Sequence, residues 1–165
     1  ESWASLSVMK TEEDIVGDFI TNADGTKTEA GYIPRPTDQR VNFSMFFQDY
    51  IPGKPNYKMH LNLIYGTGLS FGPPNSKKHQ DVLRIPDYRR VDIGFSAVIK
   101  SANKQAKLKW LNAFESIWLS AEVFNLLDIN NTVSYLWVAD VSGRQYAVPN
   151  YLTARQLNAK LILSF

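Results

Sequence analysis

Gln156-Leu157-Asn158-Ala159-Lys160-Leu161-Ile162-Leu163-Ser164-Phe165 is the stretch that decides the fold. Its odd positions, Leu157, Ala159, Leu161, Leu163 and Phe165, are all apolar, and its even positions are polar apart from Ile162. Successive side chains of a strand point to opposite faces, so the pattern predicts a strand with one apolar and one polar face. Chain termini usually fray and carry polar residues. An aromatic residue that completes the apolar stripe therefore predicts a strand built into a larger structure up to its last position.

Five further segments alternate in the same way. The first sets Ala4, Leu6 and Val8 against Trp3, Ser5 and Ser7. The second sets Val41, Phe43, Met45 and Phe47 against Arg40, Asn42, Ser44 and Gln48, with Phe46 breaking the polar row. The third sets Tyr57, Met59, Leu61, Leu63 and Tyr65 against Lys58, His60, Asn62 and Gly66. The fourth sets Val91, Ile93, Phe95, Ala97 and Ile99 against Arg90, Asp92, Gly94, Ser96 and Lys100. The fifth sets Ile117, Leu119, Ala121 and Val123 against Trp118, Ser120 and Glu122. Several of these run for about 9–11 residues, the length of a tilted strand that crosses a bilayer, where strands of water-soluble domains are more often about 5–6.

The 165 residues suit one domain, and no domain boundary, repeat or low-complexity tract stands out. A mean hydropathy of −0.25 conceals the alternation and leaves a membrane barrel open, since only every second strand residue faces lipid. No apolar run reaches the roughly 18 residues of a membrane helix. Eighteen basic against 16 acidic side chains leave no nucleic-acid footprint. The absence of cysteine removes thiolate nucleophiles and thiolate metal sites. The chain opens Glu1-Ser2-Trp3 with no signal peptide, which predicts a processed chain or a fragment.

The linkers alternate in length. Residues 10–39, 70–87 and 128–152 are long, residues 52–56 predict a tight turn, and residues 101–115 are intermediate. Outer-membrane barrels join strands by short periplasmic turns and long external loops. With Phe165 at the periplasmic face, counting back along six strands places every long linker outside and 52–56 and 101–115 inside. Tyr50, Tyr57, Trp110, Phe114 and Trp118 cluster near the inner turns, and Phe71 and Tyr88 near a loop, as an interfacial aromatic girdle would.

Four further stretches carry a family resemblance. Ile85-Pro86-Asp87-Tyr88-Arg89-Arg90-Val91-Asp92-Ile93-Gly94 resembles a late-strand motif, and Val123-Phe124-Asn125-Leu126-Leu127-Asp128 is similar to an Asn-Leu-Phe-Asp motif, of TonB-dependent outer-membrane receptors of the SusC-like kind. Asp38-Gln39-Arg40-Val41-Asn42, and Tyr65-Gly66-Thr67-Gly68 with Phe71-Gly72-Pro73-Pro74, resemble the same family, as does the terminal Phe165. The resemblance covers nearly the whole chain. It implies an antiparallel transmembrane β-barrel fragment, the last quarter or so of a barrel of about 22 strands, with the plug and the earlier strands absent. It further implies nutrient import energised by TonB through the plug, assembly by the barrel-assembly machinery, contact with membrane lipid and lipopolysaccharide, and a surface lipoprotein partner.

On this reading the chain is a transport protein rather than an enzyme, in the cell outer membrane, with no cofactor. Lumen-facing positions are Arg40, Asn42, Ser44, His60, Asn62, Asp92, Glu122, Asn158 and Lys160; the lipid face and assembly signal are Leu157, Leu161, Leu163 and Phe165. Phe71, Tyr135, Trp137 and Tyr146 are the loop candidates for ligand contact, for rings stack on sugars and other organic ligands as readily as they pack a barrel rim. His60 and His79 lack metal-ligand spacing, and Asp128, Asn130 and Asn131 lack the spacing of a calcium loop, so a turn is expected there. Lys100, Lys104, Lys107 and Lys109 make the 101–115 linker basic; a solvated turn is the default reading, with contact to anionic headgroups or lipoprotein partners as the alternatives. Two rival architectures remain: a self-contained eight-stranded barrel, with residues 133–139 and 144–149 as extra strands, and a soluble β-sandwich or lipocalin-like binding module.

Overall fold

The computed structural model describes residues 1–74, 82–102 and 105–165; His79 and Lys104 lie outside them. In chain order the strands are β1 (Ser2–Val8), β2 (Glu12–Asp14), β3 (Phe19–Thr21), β4 (Lys27–Glu29), β5 (Tyr32–Pro34), β6 (Val41–Ile51), β7 (Lys54–Gly66), β8 (Ser70–Phe71), β9 (Leu83–Arg84), β10 (Tyr88–Lys100), β11 (Ser116–Phe124), β12 (Thr132–Ala139), β13 (Gln145–Tyr151) and β14 (Gln156–Ser164). A 3-10 turn spans Lys109–Ala113. The protein is all-β, with no α-helix among the described residues.

Six strands form one antiparallel sheet in the order β1-β6-β7-β10-β11-β14. These are the six segments that alternate in the sequence, each beside its predecessor. The sheet is open, with β1 and β14 as its edges. Each remaining pair, β2 with β5, β3 with β4, β8 with β9 and β12 with β13, forms a separate two-stranded sheet. Segments 133–139 and 144–149 are thus strands, as an eight-stranded barrel needs, but they pair with each other and stay out of the large sheet.

The up-and-down order separates the connections. Those of residues 9–40, 67–87 and 125–155 leave one end of the sheet, here the loop end. The β6–β7 turn, residues 101–115 and Phe165 lie at the other, the turn end. The expected turn over 52–56 is shorter than its two prolines suggested. Only Pro52 and Gly53 lie between the strands, Gly53 takes φ +72°, and a bulge after Tyr50 absorbs Pro55 into β7.

Register joins the alternating rows into two continuous faces. One line of cross-strand partners is Phe47, Leu61, Ile93, Val123 and Leu157; another is Tyr57, Ala97, Leu119 and Leu161. The opposite face carries Gln48, His60, Gly94, Glu122 and Asn158 in one line, and Tyr50, Lys58, Ser96, Ser120 and Lys160 in the next. Two residues that break the alternation find partners on the polar face. Ile162 aligns with Trp118 and Val98 at the turn end, and Phe46 stacks between Trp3 and His60, with centroids 6.4 and 6.3 Å apart.

Burial inverts the ordinary order of a soluble protein. Along β10 and β11 the deeply buried positions of the polar rows are Asp92, Gly94, Lys100 and Ser120, while Phe95 and Leu119 of the apolar face are exposed. Ser120 keeps 5 % of its surface exposed and its neighbour Leu119 47 %. Ile117, 4 % exposed, is the exception on the apolar row.

Candidate functional site

The polar face is a hydrogen-bonded wall. Asp92, in the loop-end half of β10, accepts two bonds from Arg90 Nε at 2.8 and 3.0 Å, one from the Asn125 backbone N–H at 2.8 Å, and a long one from Asn62 Nδ2 at 3.4 Å. The Arg90 guanidinium lies 5.6 Å from the Phe124 ring centroid. One line further from the loop end, Asn158 Nδ2 donates to Glu122 Oε2 at 2.8 Å, and His60 Nε2 lies 3.9 Å from Glu122 Oε1. Ser96 and Ser120 share a bond of 2.7 Å.

Gly94 makes room for the histidine. A Cβ on Gly94 would fall 2.0 Å from His60 Cε1, so the ring rests on bare backbone of the neighbouring strand. Of the residues expected on the polar face, Asn62 and Asp92 form one contact group, and His60, Glu122 and Asn158 form a second in the adjacent line. Lys160 aligns with Ser120 in the next line, and Ser44 lies between Ser5 and Ile64. Asn42 sits at the loop end, donating to Gln39 Oε1 at 3.1 Å. Arg40 precedes β6 and is engaged elsewhere.

Its partner is Asp38, whose side chain is fully buried in the connection ahead of β6. Asp38 Oδ1 accepts the Thr11 backbone N–H at 2.7 Å, and Oδ2 is held by Arg40 Nε at 2.7 Å and by Arg84 Nη2. The Thr11 amide first, and then the two guanidinium groups, hold the carboxyl well below the usual carboxylate range despite burial. Arg84 also donates to the carbonyls of Asp38 and Gly68, each at 3.0 Å. One carboxylate thus ties the first long connection, the start of β6 and the β7–β10 connection together. Gly68 allows that closeness, since its Cβ would fall 1.5 Å from the Ile85 carbonyl oxygen.

The Asn-Leu-Leu-Asp stretch is a turn, as expected. Asn125 and Asp128 take φ +53° and +56°, Asn125 bonds Ile129 through both amide atoms, and Asp128 Oδ1 accepts the Arg155 N–H at 2.9 Å. Asn131 clasps both backbone groups of Arg89, at 2.8 and 2.9 Å. No group of three or more His, Asp or Glu side chains is placed to hold a metal among the described residues.

Three of the four loop aromatics meet. Phe71 stacks on Tyr135 at 4.5 Å with the planes 7° apart, and Trp137 is tilted against Phe71 at 6.2 Å. Tyr146 is on the other face of the hairpin, opposite Val138, and is exposed. On a hairpin the faces alternate, so odd Tyr135 and Trp137 turn one way and Tyr146 the other.

Along β14, Leu157 and Leu161 are 81 and 59 % exposed, and just past its end Phe165 reaches the Phe114 ring at 5.0 Å. Sequence reasoning missed Asp38 and Gly94 as organising residues. A short charged triplet, Asp38-Gln39-Arg40, hinted at the first; nothing local marks the second, because its partner is 34 positions away on the adjacent strand. Comparison with family models, curated proteins and solved structures gives no match.

Proposed function

We propose that this chain forms wall strands of an outer-membrane β-barrel belonging to an energised nutrient importer of the TonB-dependent kind, and that it is not an enzyme. The observation that carries the reading is the in-register apolar face across six strands, exposed at Phe95, Leu119 and Leu161, while Asp92 and Ser120 are buried on the opposite face. In water this arrangement leaves an extended apolar surface uncovered. In a bilayer the same surface is solvated by lipid, and the polar face lines the interior. A soluble sandwich would require a second sheet over the apolar face, and the other sheets of the described residues have only two strands each.

The open edges of β1 and β14 support a larger barrel, because unpaired backbone groups are not tolerated in hydrocarbon. The gathering of the three longest connections at one end agrees with external loops there and periplasmic turns at the other. The motifs around Asp92 and Asn125, which meet in one hydrogen bond, resemble those of TonB-dependent receptors. On this reading Phe71, Tyr135 and Trp137 belong to the outer rim, where a substrate or a surface lipoprotein is met, and Leu157 to Phe165 supply the lipid face and assembly signal.

The test is the intact mass of the denatured native polypeptide purified from outer membranes. A mass several times 18.7 kDa is expected, with a heat-modifiable species on gels. A mass of 18.7 kDa with heat-modifiability would favour a small standalone barrel and remove energised import. Full solubility without detergent would refute the membrane reading.

A further inference from the structure

The 101–115 connection is unusual for an inner turn. It runs 15 residues, where the other turn between long strands at that end takes two. Its described residues are also tied by hydrogen bonds. Asn112 Oδ1 accepts the Ala106 N–H at 2.8 Å, Lys100 Nζ donates to the Glu115 carbonyl at 3.0 Å, and the Glu115 N–H donates to the Ser164 carbonyl at 2.7 Å. These bonds fix the segment against the last residues of β14, where Phe114 and Phe165 meet.

Its projecting side chains are of two kinds. Leu108 and Trp110 are 57 and 66 % exposed, although an isolated turn in water gains nothing by displaying them. Lys107 and Lys109 alternate with them, are exposed, and pair with no carboxylate among the described residues. Tryptophan and leucine beside lysines make the composition that settles at a lipid–water boundary, the ring at headgroup depth and the ammonium groups on phosphates. Asn56 of β7 borders the same shallow cavity as Lys100, Gln105 and Ala106, so Tyr57 and the β6–β7 turn share this level.

We propose that residues 105–114 form an interfacial anchor that binds the anionic phospholipid surface of the inner leaflet of the outer membrane, through Trp110 and Leu108 in the headgroup region and Lys107 and Lys109 on lipid phosphates. The inference rests on the barrel reading. The occupant is a lipid surface rather than a protein because Leu108 lies between two lysines, Trp110 directly follows the second, and both stand at the sheet end that carries Phe114, Trp118 and Phe165.

The experiment uses the full-length polypeptide reconstituted in vesicles of phosphatidylcholine with or without phosphatidylglycerol. A bimane label is attached at Ala113→Cys, and separately at Leu119→Cys, in a background otherwise free of cysteine. Brominated lipids report contact by quenching. The expectation is quenching of the Leu119 label in both lipids, and of the Ala113 label chiefly with phosphatidylglycerol. Lys107→Glu with Lys109→Glu should weaken the Ala113 contact at least fivefold for each lysine lost, and high salt should mimic the change. Quenching at 119 without quenching at 113 in either lipid overturns the anchor and leaves the barrel standing. Equal quenching at 113 with and without anionic lipid, undiminished in the double variant, overturns the phosphate contact. No quenching at 119 overturns the barrel reading and the anchor with it.

Discussion

Leu161→Arg and Asn158→Arg put the same charge on one strand, three residues apart, on opposite faces. β14 has nine residues, and Leu161 lies one position beyond its centre. At a rise of about 3.4 Å and a tilt of about 40°, that offset is about 2.6 Å along the membrane normal, within the central part of an apolar band about 25 Å tall. Leu161 is 59 % exposed and its partner across the sheet is Leu119. On the proposed barrel reading an arginine there faces hydrocarbon, and the expected cost is about 2–4 kcal/mol, roughly a 30- to 800-fold loss in the folded-to-unfolded ratio. Asn158→Arg meets Glu122, whose Oε2 already accepts a bond from Asn158 at 2.8 Å, and the expected change is within about 0.5 kcal/mol. Leu161→Ala measures the part due to lost cross-strand packing, about 0.2–1 kcal/mol. The assay is urea-dependent folding of the full-length polypeptide into phosphatidylcholine vesicles, followed by heat-modifiability on gels. Equal tolerance of the two arginines would refute the assignment of faces, because a sheet in water treats an exposed charge alike on either side.

Gly94→Val drives a side chain into the His60 ring and should lower the folded yield by about 1–3 kcal/mol, with partial rescue by His60→Ala in the same folding assay. Asp38→Ala strands the Thr11 amide and two guanidinium groups, and limited proteolysis of residues 9–40 should become faster while the large sheet survives. The folded Asp38 carboxyl titrates below its unfolded value of about 3.9, so its contribution is present above that pH and fades as pH falls toward the folded value; proteolysis that slows on acidification from pH 5 to pH 3 would contradict this. Phe71→Ala and Tyr135→Ala, alone and together, should show a coupling of about 0.5–1.5 kcal/mol in hairpin stability by hydrogen exchange, whereas Tyr146→Ala should be independent of Phe71.

The sequence by itself determined the six strands of the large sheet, their order and their two faces, but not the short strands β2 to β5, β8 and β9 within the long connections. Period-2 alternation from Val41 to Phe47 or from Leu157 to Phe165 is a local property, and linker lengths of 2 to about 30 residues bring sequential strands into antiparallel neighbours with their loops sorted by end. The Asn125–Asp128 turn was legible for the same reason, since it is written in adjacent residues, whereas β14 stops at Ser164, one residue short of the strand end expected at Phe165. Other features were decided only by the tertiary structure. Which face is buried depends on what the whole sheet packs, and nothing in the alternation of Leu119 and Ser120 ranks one above the other. The seat of His60 on Gly94, the meeting of Phe71 with Tyr135, and the gathering of Thr11, Arg40 and Arg84 on Asp38 join residues up to 64 positions apart. Such contacts are set by register and by loops folding back on one another, quantities that a local pattern does not encode. Pro52 and Pro55 made the β6–β7 turn look longer than it is, because a bulge restores pairing beyond a residue that cannot donate a hydrogen bond.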